Sequence, residues 1–180
     1  RNGDSTEAHG LAMEAWTEST ERGDESRQQA AGMELARLEL GTGRPEGAVK
    51  RLLGALALVQ TRGGARQAGV VYEGLIDCEL SAGRPQEALR YCGAAENSAA
   101  GLGEFSASAS IKAALLTARV QALVQDIPDL RETVARIEKI SDESADRLLQ
   151  ARSAMDAGIS CIEADPSLAT SILDRGLLRA

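Results

Sequence analysis

Four prolines divide the 180-residue chain at nearly equal intervals. Pro85 follows Pro45 by 40 residues, Pro128 follows Pro85 by 43, and Pro166 follows Pro128 by 38. Self-similarity at a fixed period of this length is the signature of proteins built from stacked supersecondary units. The chain is therefore expected to fold as a repeat array, in which each unit buries its apolar face against the next one.

The first two repeats are the most alike. Residues 43–48 read GRPEGA and residues 83–88 read GRPQEA. A shift by the interval from Pro45 to Pro85 also places Leu35 on Leu75 and Glu39 on Glu79. The segments around the third and fourth prolines, 126–130 and 164–168, are poorer copies, but each keeps an acidic residue beside its proline. The period is thus 40, and similarity decreases along the chain.

Each proline is expected to begin the second helix of a hairpin. Proline is tolerated in the first turn of a helix and disrupts its interior. Apolar residues recur at helical spacing before Pro45 and after it, and glycines at positions 41 and 43, and again at 63 and 64, can end the helices. The repeating unit is therefore predicted to be a helical hairpin.

The same pattern predicts about nine helices, the first of them capped by Asp4 or Ser5 and the next by Asp24 or Ser26. One helix follows Pro45, and the others lie near residues 5–20, 24–40, 66–81, 86–99, 104–125, 129–140, 142–163 and 167–178. Hairpin turns are expected near 41–45, 81–85, 125–128 and 163–166, within one continuous domain of residues 1–180. An apolar stripe marks the helix after Pro128 and consists of Ile127, Leu130, Val134, Ile137 and Ile140.

Composition supports an all-α fold. Only four residues are aromatic, namely Trp16, Tyr72, Tyr91 and Phe105, whereas alanine is abundant. Alanine favours helices, and a sheet needs the β-branched and aromatic residues that are scarce here.

The repeats resemble the tetratricopeptide repeat (TPR) family, in its longer variety of about 40 residues found in kinesin light chains, CHAT-domain proteases and large LuxR-type bacterial regulators. In the first repeat, the large and small residues of that family correspond to Leu35, Ala36, Gly43, Ala48, Ala55 and Leu56. In the second, they correspond to Tyr72, Leu75, Gly83, Ala88 and Ala95. The resemblance implies a right-handed α-solenoid of antiparallel hairpins whose first helices line a concave binding face.

The sequence also departs from the family pattern. Glu39 and Glu79 replace the aromatic residue late in the first helix, and after Pro128 the alanine position holds Arg131, although Ala169 fills it after Pro166. A HEAT-like or unclassified α-solenoid therefore remains an alternative for the second half of the chain.

Charge and cysteine content indicate which classes of partner and which cellular compartment to expect. The formal charge of -7 argues against direct contact with nucleic acid. The longest apolar stretches, such as residues 52–59, are too short to cross a membrane. Three dispersed cysteines favour a reducing compartment, and we expect the cytoplasm.

An Arg-rich, Lys-poor composition indicates a bacterial source, and the initial Arg1 indicates a fragment of a longer protein.

Few residues are candidates for catalysis or for binding a metal or cofactor. His9 is the only histidine, so we expect it to be exposed and without a metal. Cys78, Cys92 and Cys161 are expected to be buried and inert. The glycine pairs lack the flanking residues of phosphate-binding loops, and acidic clusters such as Asp142 with Glu143 are expected at helix ends or on exposed faces. The sequence therefore predicts no cofactor and no enzyme, unless a deep pocket places His9 or a cysteine beside acidic residues.

Binding is predicted on the first helices of the hairpins. The expected contact residues are Met33, Arg37, Glu73 and Asp77. Glu73 and Asp77, one helical turn apart, suit a basic peptide, although all four are also compatible with an ordinary solvated helix face. Chaperone-binding members of the family use Lys and Asn at comparable positions, and this chain lacks them.

Two functional classes follow. The first is a regulatory module or scaffold that binds a protein or peptide on its concave face. The alternative is a small-ligand-sensing or oligomerisation domain of a larger bacterial transcriptional or signalling regulator. Self-association through the terminal helices is also expected, because Leu177 and Leu178 leave an apolar end without a polar capping helix.

Overall fold

A computed structural model describes residues 2–61, 64–103, 106–144 and 146–179. These residues form nine α-helices and contain no strand. The helices are α1 (Asn2–Glu21), α2 (Glu25–Gly41), α3 (Pro45–Thr61), α4 (Ala65–Ser81), α5 (Pro85–Ala100), α6 (Ser106–Leu123), α7 (Ile127–Asp142), α8 (Arg147–Cys161) and α9 (Pro166–Arg179). The predicted all-α class and the number of helices are confirmed.

Two predicted helix starts are wrong. The first helix begins at Asn2, before the caps expected at Asp4 or Ser5. The helix expected over 142–163 begins only at Arg147, because α7 continues to Asp142. The carboxylate of Asp146 accepts a hydrogen bond from the backbone N–H of Leu149 at 3.1 Å, which caps α8 at this point. Elsewhere the expected and observed boundaries differ by a few residues. Gly63 and the predicted start of α6 at 104–105 lie outside the described residues, as does Phe105.

The chain divides into two compact units, residues 1–91 and 92–180. In the first unit, α1 packs on α2, α2 on α3 and α3 on α4, and the first helices α2 and α4 also contact each other. In the second unit, α6 packs on α7, α7 on α8 and α8 on α9, and α6 contacts α8. Within each unit, consecutive helices are neighbours, as in an α-solenoid. One continuous domain stays a prediction.

The turns between hairpin helices repeat one backbone geometry. Gly43 and Gly83 have φ values of 73° and 70°. The next residue donates its N–H to the carbonyl five positions earlier, from Arg44 to Glu39 and from Arg84 to Glu79, both at 2.8 Å. This six-to-one bond, with a left-handed residue before it, is a Schellman motif that ends the helix.

The four prolines lie at the starts of helices, as the sequence predicted. Pro45, Pro85 and Pro166 are the first residues of α3, α5 and α9, and Pro128 is the second residue of α7. The missing N–H therefore costs no helical hydrogen bond.

Each unit has a core of apolar side chains from several helices. In the first unit, the residues that carry the family resemblance are buried: Leu35, Ala36, Ala48, Ala55, Leu56, Tyr72, Leu75 and Ala88. In the second unit, the predicted stripe of α7 is confirmed, since Leu130, Val134 and Ile137 are buried and Ile127 and Ile140 pack against them. Among the described helices, none is long and apolar enough to cross a membrane.

A left-handed turn residue should matter for stability. Gln125 has a φ of 60°, in the turn where the first two repeats have glycine. A residue with a Cβ pays about 1 kcal/mol in this conformation. We therefore expect Gln125→Gly to raise the free energy of unfolding by about 0.5 kcal/mol, since glycine also loses more backbone entropy on folding.

The reverse substitution is the matched control. A Cβ at Gly83 would meet nothing within 4 Å, so Gly83→Gln changes the backbone preference without a steric clash. We expect it to lower the free energy of unfolding by about 1 kcal/mol, measured by urea titration. A destabilised Gln125→Gly variant would contradict this account of the turn.

Candidate functional site

The residues predicted to bind a partner lie on two neighbouring helices of the first unit. Met33 and Arg37 belong to α2, and Glu73 and Asp77 belong to α4. Met33 and Glu73 are one repeat period apart, as are Arg37 and Asp77, so the two pairs occupy equivalent repeat positions. We call these four residues the α2–α4 face. Arg37 is exposed, whereas the other three are half-buried.

Arg37 is engaged by its own helix. Its Nε donates to Glu34 Oε2 at 3.0 Å, and a second guanidinium nitrogen contacts Glu34 Oε1. These bonds raise the pKa of Arg37 and lower that of Glu34. An exposed pair of this kind contributes little to stability, but it reduces the positive charge that Arg37 offers to a partner.

The α4 half of the face is acidic. Glu73 and Asp77 are one helical turn apart on α4. Asp77 also contributes to the electrostatic environment of the core, because burial first, and then the charge of Asp77, raises the pKa of the neighbouring Cys78 thiol to about 11. With Glu34 beside Arg37, the α2–α4 face and its surroundings thus contain three carboxylates and one guanidinium.

Two buried glutamates were missed as functional candidates. Glu39 and Glu79 were noted in the sequence only as replacements for a family aromatic residue, but their exposed fractions are just 7% and 5%. A buried carboxylate requires compensating partners. Their recurrence at the repeat period, late in α2 and α4, is the signal that could have drawn attention to them.

Glu79 is neutralised by the turn that follows its helix. The guanidinium of Arg84 donates from Nε to Glu79 Oε2 and also contacts Glu46 Oε1 at 3.4 Å. The bond to Glu79 raises the pKa of Arg84. This interaction links the end of α4 to the start of α3 in the previous hairpin.

Glu39 has a different environment. Arg51 Nε lies 3.8 Å from its Oε1 atom, which is a charge contact rather than a hydrogen bond, and His9 Nε2 lies 3.9 Å from the same atom. The other oxygen, Oε2, lies over Gly47, where a Cβ would approach it to 2.8 Å. His9 was expected to be exposed. It is half-buried instead, because α1 packs on α2 and brings the imidazole toward Glu39.

The same side of α1 anchors it to the first hairpin. The guanidinium of Arg51 lies over the Trp16 ring, 5.6 Å from its centroid, and also contacts the Met13 sulfur. Trp16 packs so closely on Gly32 that a Cβ there would approach the ring to 2.6 Å. The cluster of His9, Glu39, Arg51 and Trp16 therefore fastens α1 in place.

In the second unit, charged side chains join helices to each other. Arg131 of α7 donates from Nε to Asp165 Oδ2 at 2.9 Å. Arg136 of α7 donates to both carboxylate oxygens of Glu96 at 2.8 Å and 2.9 Å. Arg131 occupies the alanine position of the family pattern, so this departure corresponds to an ion pair with the turn before α9.

The three thiols are buried, as the sequence predicted. Burial is the largest cause that raises the pKa of Cys78, Cys92 and Cys161, each to about 11. A thiol of this kind is almost entirely protonated at neutral pH and is a poor nucleophile. In the part of the chain that the structure describes, no group of three His, Cys, Asp or Glu side chains could hold a metal ion.

Thiol reactivity tests this description. We expect labelling with a disulfide reagent at pH 7.5 to be at least about 100-fold slower in the native protein than in urea, since a pKa near 11 removes most of the thiolate. Ser108→Cys, at an exposed position of α6, is the positive control and should react rapidly with one equivalent. Rapid native labelling of the wild-type chain would contradict inert thiols.

Acid stability tests the buried carboxylate of Asp165. Hydrogen bonds from Ser167, the Leu168 N–H and Arg131 lower its pKa from 3.8 to about 2. Because the folded pKa is the lower one, this contribution to stability is full above about pH 4 and is lost as the pH falls toward 2. We expect Asp165→Asn to lose less stability than wild type between pH 4 and pH 2, measured by urea unfolding.

Asp174→Asn, at an exposed position of α9, removes the same charge and is the control. It should keep the acid dependence of the wild-type chain. An Asp165→Asn curve that coincides with wild type would show that Asp165 does not contribute to the acid dependence.

Neither the models of known protein families nor the curated proteins give a match to this chain. The resemblance to tetratricopeptide repeats therefore stays a hypothesis. It rests on residues of the first two repeats, and any function must be argued from the chain's own side chains.

Proposed function

We propose that the chain is a binding module, without catalysis, that holds a protein or peptide segment on the α2–α4 face. The observation that carries this proposal is the repeat equivalence of its residues. Two adjacent first helices present side chains at positions one repeat period apart, outside the buried rows of Leu35 and Leu75. Surfaces made from successive repeats in this way are the usual binding sites of helical arrays.

The preferred partner is a basic segment. Arg37 and Glu34 offset each other in an ion pair, and Glu73 and Asp77 add two carboxylates to the face. Glu73 and Asp77 are half-buried, and a charge interaction is stronger where water is partly excluded. Met33, at the equivalent repeat position on α2, adds a flexible apolar side chain, which suits a segment that combines Lys or Arg with an apolar residue.

Other features support the same proposal. The buried thiols have raised pKa values and do not offer a nucleophile. They also fit a reducing compartment, and we propose the cytoplasm of a bacterium. The net charge of -7 disfavours nucleic acid and anionic membranes as direct partners. The resemblance to tetratricopeptide repeats, a family of protein-binding arrays, favours the same class of function.

A second candidate is an oligomerisation domain of a larger regulator. It is favoured by a row of large apolar side chains on α8 and in the turn after it that remain exposed, namely Met155, Ile159 and Ile162. This surface lies in the other unit and does not depend on the α2–α4 face.

A peptide selection tests the first proposal. We expect the chain to enrich Lys- and Arg-containing sequences from a random library of displayed 15-residue peptides. The enriched peptides should bind the Glu73→Lys, Asp77→Lys double variant at least about tenfold more weakly, because two attractive charges become repulsive. Affinity would be measured by fluorescence anisotropy, and folding by far-ultraviolet circular dichroism.

The matched control changes the same net charge elsewhere in the first unit. Glu14 and Glu21 are exposed on α1, so the Glu14→Lys, Glu21→Lys variant should keep wild-type affinity. Equal losses in both variants would reveal general charge attraction only. Enrichment of acidic or uncharged peptides would refute the basic-segment proposal.

A further inference from the structure

Three large apolar side chains form an exposed stripe on α8 and the turn after it. Met155, Ile159 and Ile162 are 53%, 57% and 49% exposed. Their spacing of four and three residues places them on one side of a helix. Ile162 lies in the turn just beyond Cys161 and continues that side.

In α8, small side chains are buried and large apolar ones are exposed, which is the reverse of what side-chain size favours. The side that faces the core consists of Ala154, Ala157 and Cys161, which allow close approach of the neighbouring helices. The larger residues, which would gain more from leaving water, lie on the opposite side. An apolar stripe on the outer side of a helix is typical of a surface that binds another protein.

The adjacent helix also carries an exposed apolar side chain. A Cβ at Gly158 of α8 would approach Leu173 of α9 to 2.6 Å, so the two helices are in close contact there. Leu177, one turn after Leu173, is 77% exposed. The α8 stripe is therefore accompanied by an exposed apolar residue on the helix that packs against α8.

Opposite charges flank the stripe. Arg152 lies one turn before Met155, and Glu163 follows Ile162, and both are exposed. Arg152 and Ile159 lie nearly in line along α8, and Glu163 lies in the turn two residues beyond its end, next to Ile162. The two charges are therefore at opposite ends of the stripe, and the mid-point between them in the sequence falls between residues 157 and 158.

We propose that α8 is a self-association surface, on which a second copy of this chain packs its own α8 in antiparallel orientation. A two-fold axis near residues 157 and 158 would place Arg152 of each copy opposite Glu163 of the other. It would also place Met155 of each copy against Ile159 and Ile162 of the other. The stripe is self-complementary in charge and in apolar contacts, as a symmetric dimer requires.

Arg152 keeps enough hydrogen-bonding capacity for this contact. Within its own helix its Nε is 3.9 Å from Asp156 Oδ2. A guanidinium carries five N–H groups, so a weak contact through one nitrogen leaves donors for a carboxylate of the second copy. The proposal is independent of peptide binding, because it uses helices of the other unit.

The dimer is expected to be weak. One helix face from each chain makes an interface at the small end of the range for protein complexes. We expect a dissociation constant of about 100 µM for the 180-residue chain, measured by sedimentation equilibrium up to about 1 mM. A monomer throughout that range would overturn the proposal.

Charge exchange tests the antiparallel geometry. In a homodimer of Arg152→Glu, two glutamates would face Glu163 of the other copy, and Glu163→Arg would likewise place arginines opposite Arg152. Each single variant should therefore dimerise at least about tenfold more weakly than wild type. An equimolar mixture of the two variants should recover near wild-type association, because all facing charges are then opposite.

The mixture also shows that both variants fold, since neither could rescue the other if it were unfolded. In a parallel pair, Arg152 would face Arg152 and Glu163 would face Glu163, so the wild type would already pair like charges. The single variants would then dimerise no more weakly than the wild type, and the mixture would associate more strongly than the wild type. Failure of the mixture to associate more strongly than either variant alone would overturn the antiparallel α8 interface.

An apolar substitution provides the second test. Ile159→Glu introduces a charge at the centre of the stripe and should abolish the dimer below about 1 mM. Leu53→Glu is the matched control, since Leu53 is also an exposed apolar residue but lies on α3 of the first unit. Dimerisation that survives Ile159→Glu, or that Leu53→Glu abolishes equally, would overturn the assignment to α8.

Discussion

A left-handed residue follows the first helix of three hairpins, at Gly43, Gly83 and Gln125. In each case the next N–H bonds to the carbonyl five residues earlier, at 2.8 Å to 3.0 Å. This motif ends one helix and returns the chain for the next, while a proline within the first two residues of the second helix fixes its start. Constant turn geometry keeps the repeats in register, so that residues one period apart in the first unit occupy equivalent places. The α2–α4 face depends on that register.

Equivalent backbone positions nevertheless hold different electrostatic partners. Glu39 and Glu79 lie late in α2 and α4, which are the equivalent helices of successive repeats, and both are buried. Arg84 binds Glu79, whereas its counterpart Arg44 donates to Thr42 Oγ1 at 3.2 Å. The place of Arg51, which contacts Glu39, is taken in the next repeat by Tyr91, whose pKa is raised by burial and then by Glu79. A backbone repeat thus fixes where a carboxylate is buried, and neighbouring side chains decide which cation compensates it.

Periodicity along the chain was enough to predict the helices, turns and buried cysteines, because these depend on local spacing and on proline and glycine. The predicted start of α8 was wrong, because the helical spacing of apolar residues from residue 142 gave no sign of the cap at Asp146. The predicted exposure of His9 was also wrong, because its burial depends on how α1 packs on α2. The stripe of α8 was missed for a different reason. Ala154, Ala157 and Cys161 have helical spacing, as do Met155, Ile159 and Ile162, and sequence alone favours burial of the larger set.

Net charge separates the two proposed surfaces. At -7, the chain attracts a basic segment over a distance but repels a second copy of itself. At about 0.15 M salt, screening limits this repulsion to about 8 Å, so copies can meet where short-range contacts are favourable. The α8 stripe supplies such contacts, since its apolar burial does not depend on net charge and its flanking charges cancel in pairs. The net charge therefore favours the basic ligand proposed for the α2–α4 face, and it opposes self-association wherever short-range contacts such as those proposed for α8 are absent.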